Sequence, residues 1–241
     1  MATDPRKRQK QHARKVAKRK ATLTTKRSGV EAPGGMNAVR LMRVAAAAPL
    51  HECLMGRDLF EMGIGTVVVS RELPNGRMGA AFFLLDVFCL GVKNADFLVA
   101  TREEYSWRLE HMMAHETLLP IAPEYARKLV EAAEAYARDL GFSPHPDYQL
   151  SRKIFADIDA TACPATLTCG KDGQPFYAAG PYDTPQRVHN VLQTLTKRCG
   201  PDGFHYLLPL EGMDAWDDKA LADERDGDEM VIEAEYTKLE E

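Results

Sequence analysis

No run of eighteen or more apolar residues occurs in this 241-residue chain, which leaves no candidate for a membrane-spanning helix, and no membrane partner is expected. The longest apolar stretch, around residues 80–90, is interrupted by Asp86. Cys-x-x-Cys pairs are also missing. The five cysteines, Cys53, Cys89, Cys163, Cys169 and Cys199, are odd in number and widely spaced. That pattern speaks against a zinc knuckle or a thioredoxin-type pair and for reduced, buried thiols in a cytosolic protein. There is no Gly-x-x-x-x-Gly-Lys-Ser/Thr loop, so nucleotide binding through a P-loop is excluded, and no Gly-x-Ser-x-Gly elbow. Gly63-Ile-Gly65 is too short for a dinucleotide fingerprint and lies on the wrong side of its strand.

The most informative property present is the sorting of charge. Residues 1–28 hold eleven Lys or Arg against one acid, Asp4. Residues 211–241 hold thirteen acids against Lys219, Arg225 and Lys238. The two ends carry about +10 and −10, and the 182 residues between them carry about −4. Like charges at this density repel, and few apolar residues interrupt them. Both ends, a basic arm over 1–35 and an acidic tail over 211–241, are therefore expected to be disordered. No apolar segment follows the basic start, so a secretory signal is not expected. Such a start suits a mitochondrial presequence as well as a cytoplasmic arm, and a cytoplasmic location is the expectation.

The body, 36–210, reads as one α+β domain. Hydrophobic content of 45% is enough for a sizeable core. Residues 36–48 are rich in Ala, Leu, Met and Arg and predict a helix. Pro49 is placed to open a second helix running toward Gly63. Residues 64–72 and 78–90 predict two strands joined at Leu73-Pro-Asn-Gly-Arg77, where Asn75 and Gly76 tolerate positive φ. The second strand is apolar on both faces, so it should be covered by helices. Thr101-Arg-Glu-Glu104 matches a capping box, opening a helix to about Glu116. Residues 123–140 carry an apolar stripe between Pro123 and Gly141 and predict a long helix. A shorter helix is expected over 148–155. Gly170-Lys-Asp-Gly173 predicts the turn of a second hairpin. A last helix should follow Thr184-Pro185, and a short strand 204–208. Strands do not alternate singly with helices, so the expected sheet is mainly antiparallel, built from the two hairpins and covered by helices.

Two kinds of chemistry are compatible with these residues. The basic arm, through Arg6, Lys7, Arg8, Lys10, Arg14, Lys15, Lys18, Arg19, Lys20, Lys26 and Arg27, predicts nonspecific binding to phosphates. Each cation placed at a phosphate releases a counterion. The arm has no aromatic residue with which to read bases. A nucleic-acid-associated protein, with RNA or a ribonucleoprotein as partner, is the leading expectation. The alternative is a metal-dependent hydrolase or nuclease. His111 and His115 stand four apart on an expected helix, with His145 and Asp147 as further donors. Asp157 and Asp159, with Asp86, supply carboxylates of the kind that gather around a divalent cation. A metal cofactor is called for only under this alternative. Asp86 has other uses open to it: pairing with Lys93, Arg77 or Arg71, or capping a neighbouring turn. Cys163, with His145 and Asp159 upstream, reads as an ordinary buried thiol. A protein-interaction module with solubilising tails is the third reading.

Overall fold

A computed structural model describes residues 35–208; the basic arm and the acidic tail lie outside the described residues. The centre is a five-stranded antiparallel sheet. Its strands are β1 (Leu50–Gly56), β2 (Ile64–Glu72), β3 (Met78–Asp86), β4 (Gly91–Ala100) and β5 (Leu118–Pro120), in the order β4-β3-β2-β1-β5. The mainly antiparallel α+β architecture is as the sequence predicts.

Period-two alternation sorts the strand residues onto two apolar faces. Val67, Val69, Ala81, Phe83, Ala95, Phe97 and Val99 point to one side. There they meet α1 (Gly35–Ala46), through Met42 and Ala45, and α4 (Pro123–Asp139), through Ala126, Leu129, Val130 and Ala133. The short helix α5 (Tyr148–Ser151) and the 3-10 turn Arg152–Phe155 close the same side, with Phe155 stacked on Phe83 at 5.5 Å. Val68, Ala80, Phe82 and Leu98 point to the other side, beneath α3 (Arg102–Met113). Tyr105 anchors α3 there: its hydroxyl donates to Glu52 Oε1 at 2.8 Å and lies 3.0 Å from Ser70 Oγ. The predicted capping box is present, with Glu104 N–H donating to Thr101 Oγ1 and Thr101 N–H donating to Glu104.

Three local expectations are corrected. The helix expected from Pro49 to Gly63 is instead β1 followed by a single helical turn, α2 (Leu59–Met62). Pairing with β2 on one side and β5 on the other outweighs the weak helical preference of Leu50–Gly56. The apolar run 78–90 is not one strand. It ends at Asp86, turns, and returns as β4. The second hairpin is reduced to its turn, a lone Lys171–Gln174 bridge. Beyond it β6 (Phe176–Ala178) pairs in parallel with β7 (His205–Leu207), and α6 (Pro185–Cys199) connects the two. This unit docks through Tyr177, Val188, Val191, Leu195 and Phe204 onto Cys89 and Leu90 in the β3–β4 turn.

Asp86 makes that turn. Its Oδ1 accepts from Phe88 N–H at 3.1 Å and Cys89 N–H at 2.9 Å. Burial raises its carboxyl pKa above the ordinary range, opposed by Lys93 and by these backbone donors. An asparagine can accept the same two bonds without a charge to desolvate. Stability associated with the protonated acid is fully present below the unfolded pKa, about 4, and is lost as pH rises through the higher native value. Asp86→Asn should therefore gain stability relative to the parent chain across that window, and the gain should then level off. Urea midpoints of both proteins from pH 4 to 8 check this. A difference that does not change with pH would show that the buried charge carries no cost.

Glu116 ends α3's excursion and explains two glycines. Its Oε1 accepts from Thr66 N–H at 2.9 Å. A Cβ at Gly56 or Gly65 would collide with that carboxylate. The helix stops at Met113, before the expected Glu116, because Glu116 turns back into the sheet.

Candidate nucleic-acid interface

Where the described chain begins, its surface is basic. Helix α1 contains no acidic residue, and it buries Ala38, Met42 and Ala45 along one stripe. That spacing leaves Arg40 and Arg43 exposed on the other side. The 3-10 turn Arg152–Phe155 packs beside α1 and divides its residues the same way. Ile154 and Phe155 enter the core, while Arg152 and Lys153 face solvent. Arg127, Arg152 and Lys153 then line a groove of about 430 Å³ with Glu131, Gln149, Phe155 and Ala156. Glu131 is the one carboxylate in that lining and is already engaged: Arg127 Nε donates to it at 2.9 Å, and Arg152 stands 3.9 Å away. Arg152 also lies over the Tyr148 ring at 5.4 Å, which holds its guanidinium against the protein surface. The groove thus presents two held guanidiniums, Arg127 and Arg152, the exposed Lys153 and one largely buried aromatic ring, Phe155.

The basic arm residues, Arg6 to Arg27, lie outside the described residues. They join the described chain at Gly35, the first residue of α1.

Asp157 and Asp159 share a second cavity of about 630 Å³, between the 46–50 segment and residues 156–162, with Arg71 and Glu124 also in its lining. Each carboxylate has a structural partner. Asp157 accepts from Arg71 Nη2 at 3.0 Å, and that bond holds its carboxyl below the usual range. Asp159 accepts from Thr161 N–H at 2.9 Å and from Thr161 Oγ1 at 2.7 Å, which lowers its carboxyl likewise. Asp86 is elsewhere. It pairs with Ile64 at one end of β2, whereas Arg71 lies at the other. The separation along the strand is about 23 Å. The three-carboxylate centre expected from the sequence is therefore not assembled.

His111 stands in the last turn of α3, whereas His115 lies just beyond its end at Met113, with the two ring centroids 5.8 Å apart. The ring of His111 lies flat against Trp107, at 5.6 Å and 6°. His145 belongs to the segment after α4, where its backbone N–H donates to Val92 O, and that helix packs on the opposite face of the sheet. Among the described residues no three His, Cys, Asp or Glu side chains are placed to hold a metal ion together. Cys53, Cys89 and Cys163 are buried, and desolvation pushes the Cys53 thiol up to about 12, far from reactive range.

Sequence reasoning missed the groove lined by Arg127, Arg152 and Lys153, and the exposed Arg40 and Arg43 of the neighbouring α1. These residues are scattered over more than a hundred residues and are joined only by the packing of α1, α4 and the 3-10 turn on the same sheet face.

No protein-family model matches this chain, and no curated protein or solved structure is significantly similar to it.

Proposed function

We propose that this protein binds RNA, alone or within a ribonucleoprotein, through nonspecific phosphate contacts supplied by the basic arm. The observation that carries the reading is the charge of the arm: eleven Lys or Arg against Asp4 in residues 1–28. The surface that begins at α1 supports it, because Arg40, Arg43, Arg152, Lys153 and Arg127 extend the cationic track onto folded protein. The body as a whole cannot supply such attraction, since its net charge is about −4. Affinity of this kind is electrostatic. It should fall steeply with salt and vary little with sequence.

The test is binding of a structured RNA and of duplex DNA over a salt series, with the full chain and with residues 29–241. Six to ten phosphate contacts cost roughly 10³–10⁵ in affinity between about 50 and 200 mM salt. The full chain should show a slope of that order, and the shortened chain should lose most of it. Arg40→Gln, Arg43→Gln, Arg152→Gln and Lys153→Gln together should reduce the remaining slope further. Equal affinity and equal slope for the two chains would overturn the proposal and leave a protein-interaction module as the better reading.

A further inference from the structure

A cavity of about 590 Å³ opens between the start of β4, the 142–146 loop and α6. It is within the size range of small-molecule sites. Its walls divide by chemistry. Leu90, Val92, Phe142 and Val191 make an apolar side. Lys93, His145, Arg187, Thr184 and Asn190 are among the polar groups, and no carboxylate lines it.

The hydrogen bonds already made leave the polar side rich in unused donors. Arg187 Nε is committed to Asp183 Oδ1 at 3.0 Å, which fixes the guanidinium and leaves its terminal nitrogens free. Asp183 itself is nearly buried, and its other oxygen accepts from Tyr177 Oη at 3.0 Å and Gly180 N–H at 2.9 Å. It is thus spent on positioning Arg187. Thr184 Oγ1 accepts from Arg187 N–H at 3.2 Å, so its hydroxyl proton remains available. Asn190 Oδ1 accepts from Gln186 Nε2 at 3.1 Å, so its amide protons remain available. His145 Nδ1 accepts from Asp147 N–H at 3.3 Å, with the Asp147 carboxylate 3.9 Å from the same nitrogen, so Nε2 is the ring's unengaged nitrogen. Lys93 makes no ion pair with any described carboxylate, and the buried Asp86 influences it only at longer range.

We propose that this cavity binds a small phosphomonoester, with the phosphate against Lys93, Arg187, Thr184, Asn190 and His145 and an organic body against Phe142, Leu90 and Val191. Donors from five residues outnumber what a single carboxylate oxygen pair needs, and they suit the three terminal oxygens of a phosphate. None of its lining residues belongs to the arm or to α1, so it stands or falls independently of RNA binding.

The experiment is calorimetric titration of the full chain with adenosine 5′-monophosphate, inorganic phosphate and adenosine. Saturable binding of the monophosphate is expected, with phosphate weaker and adenosine weaker by about tenfold or more, since each charge-assisted contact adds about a factor of ten. Arg187→Gln, an exposed position, and Lys93→Gln should each weaken the monophosphate by about tenfold. Lys171→Gln, outside the cavity, should leave it unchanged. These variants keep the arm, so nonspecific attraction to the arm would persist through all of them. Two results would overturn the proposal: no saturable binding up to about 10 mM, or binding that Arg187→Gln leaves intact. Should Lys93→Gln lower the thermal midpoint, the Arg187 variant decides.

Discussion

Replacing Arg71 by methionine should destabilise the protein by about 2–6 kcal/mol, the cost of leaving two buried carbonyls without their donor. Arg71 is 4% exposed, on β2. Its Nε donates to Ile154 O at 2.8 Å, Nη1 to Ala48 O at 2.7 Å, and Nη2 to Phe155 O at 3.2 Å and Asp157 Oδ1 at 3.0 Å. One guanidinium thus ties the sheet to the loop after α1 and to the 3-10 turn. Methionine would fill much of the space but would orphan the Ala48 and Ile154 carbonyls, each at a cost of about 1–3 kcal/mol before relaxation, while Phe155 O keeps its bond from Ile158 N–H at 2.8 Å. Lysine should rescue little. Its single ammonium cannot span four acceptors on separate segments as a planar fork can. Ala156 adds to the effect. Its φ of 41° is outside the regions favoured by residues with a side chain, and the bonds to Phe155 and Asp157 hold it there from both sides. Urea or thermal denaturation measures the loss. A loss below about 1 kcal/mol would mean that the segment 154–157 satisfies its carbonyls some other way.

Gly91→Ala should cost about 2–4 kcal/mol, from a disfavoured backbone conformation and an overfilled contact together. Gly91 opens β4 with φ of 65°. A Cβ there would stand 2.6 Å from Ala137 Cβ and 2.7 Å from Ala133 O. The second of these is helix backbone, which cannot swing aside, so α4 would have to lift off the β3–β4 turn. Gly76 is the internal comparison. Its φ is 73°, yet nothing lies within 4 Å of a Cβ built there. Gly76→Ala should therefore show the conformational cost alone, about 1 kcal/mol. Chemical denaturation of both variants separates strain from collision. Equal losses would refute the close approach of α4 to the turn.

Both predictions turn on residues that one-dimensional reading treats as ordinary. Local chemistry was legible. The Thr101–Glu104 box needs only its four residues, the Asn75-Gly76 turn needs only its two, and the 123–140 stripe declares its helix from Pro123 to its end at Asp139. What the sequence conceals depends on a distant partner. Leu50–Gly56 becomes a strand because β2 and β5 bracket it, which no propensity within the segment announces. The strand beginning at Gly91 exists because Asp86 folds the chain back, so a seemingly unbroken apolar run had to be cut at its one acid. The site followed the same rule. Asp86, Asp157 and Asp159 are alike as letters, but each is consumed by a different neighbour, while the basic groove gathers residues from segments that share no motif.

The sheet's two borders have a consequence for how the molecule meets copies of itself. An unpaired strand is a template on which another chain can add and aggregate. Here one border is β5, only three residues long, and its last residue is Pro120, which has no N–H to offer an incoming strand. The other is β4, which carries Lys93, Asn94 and Asp96 along its length, with Arg108 drawn onto Asp96 at 2.8 Å. A strand arriving at either border finds a short, proline-ended ladder or a charged one. The densely apolar segments Val67–Val69 and Ala80–Leu85 lie inside those borders, so the parts of this chain most able to form cross-β contacts are screened in the native state.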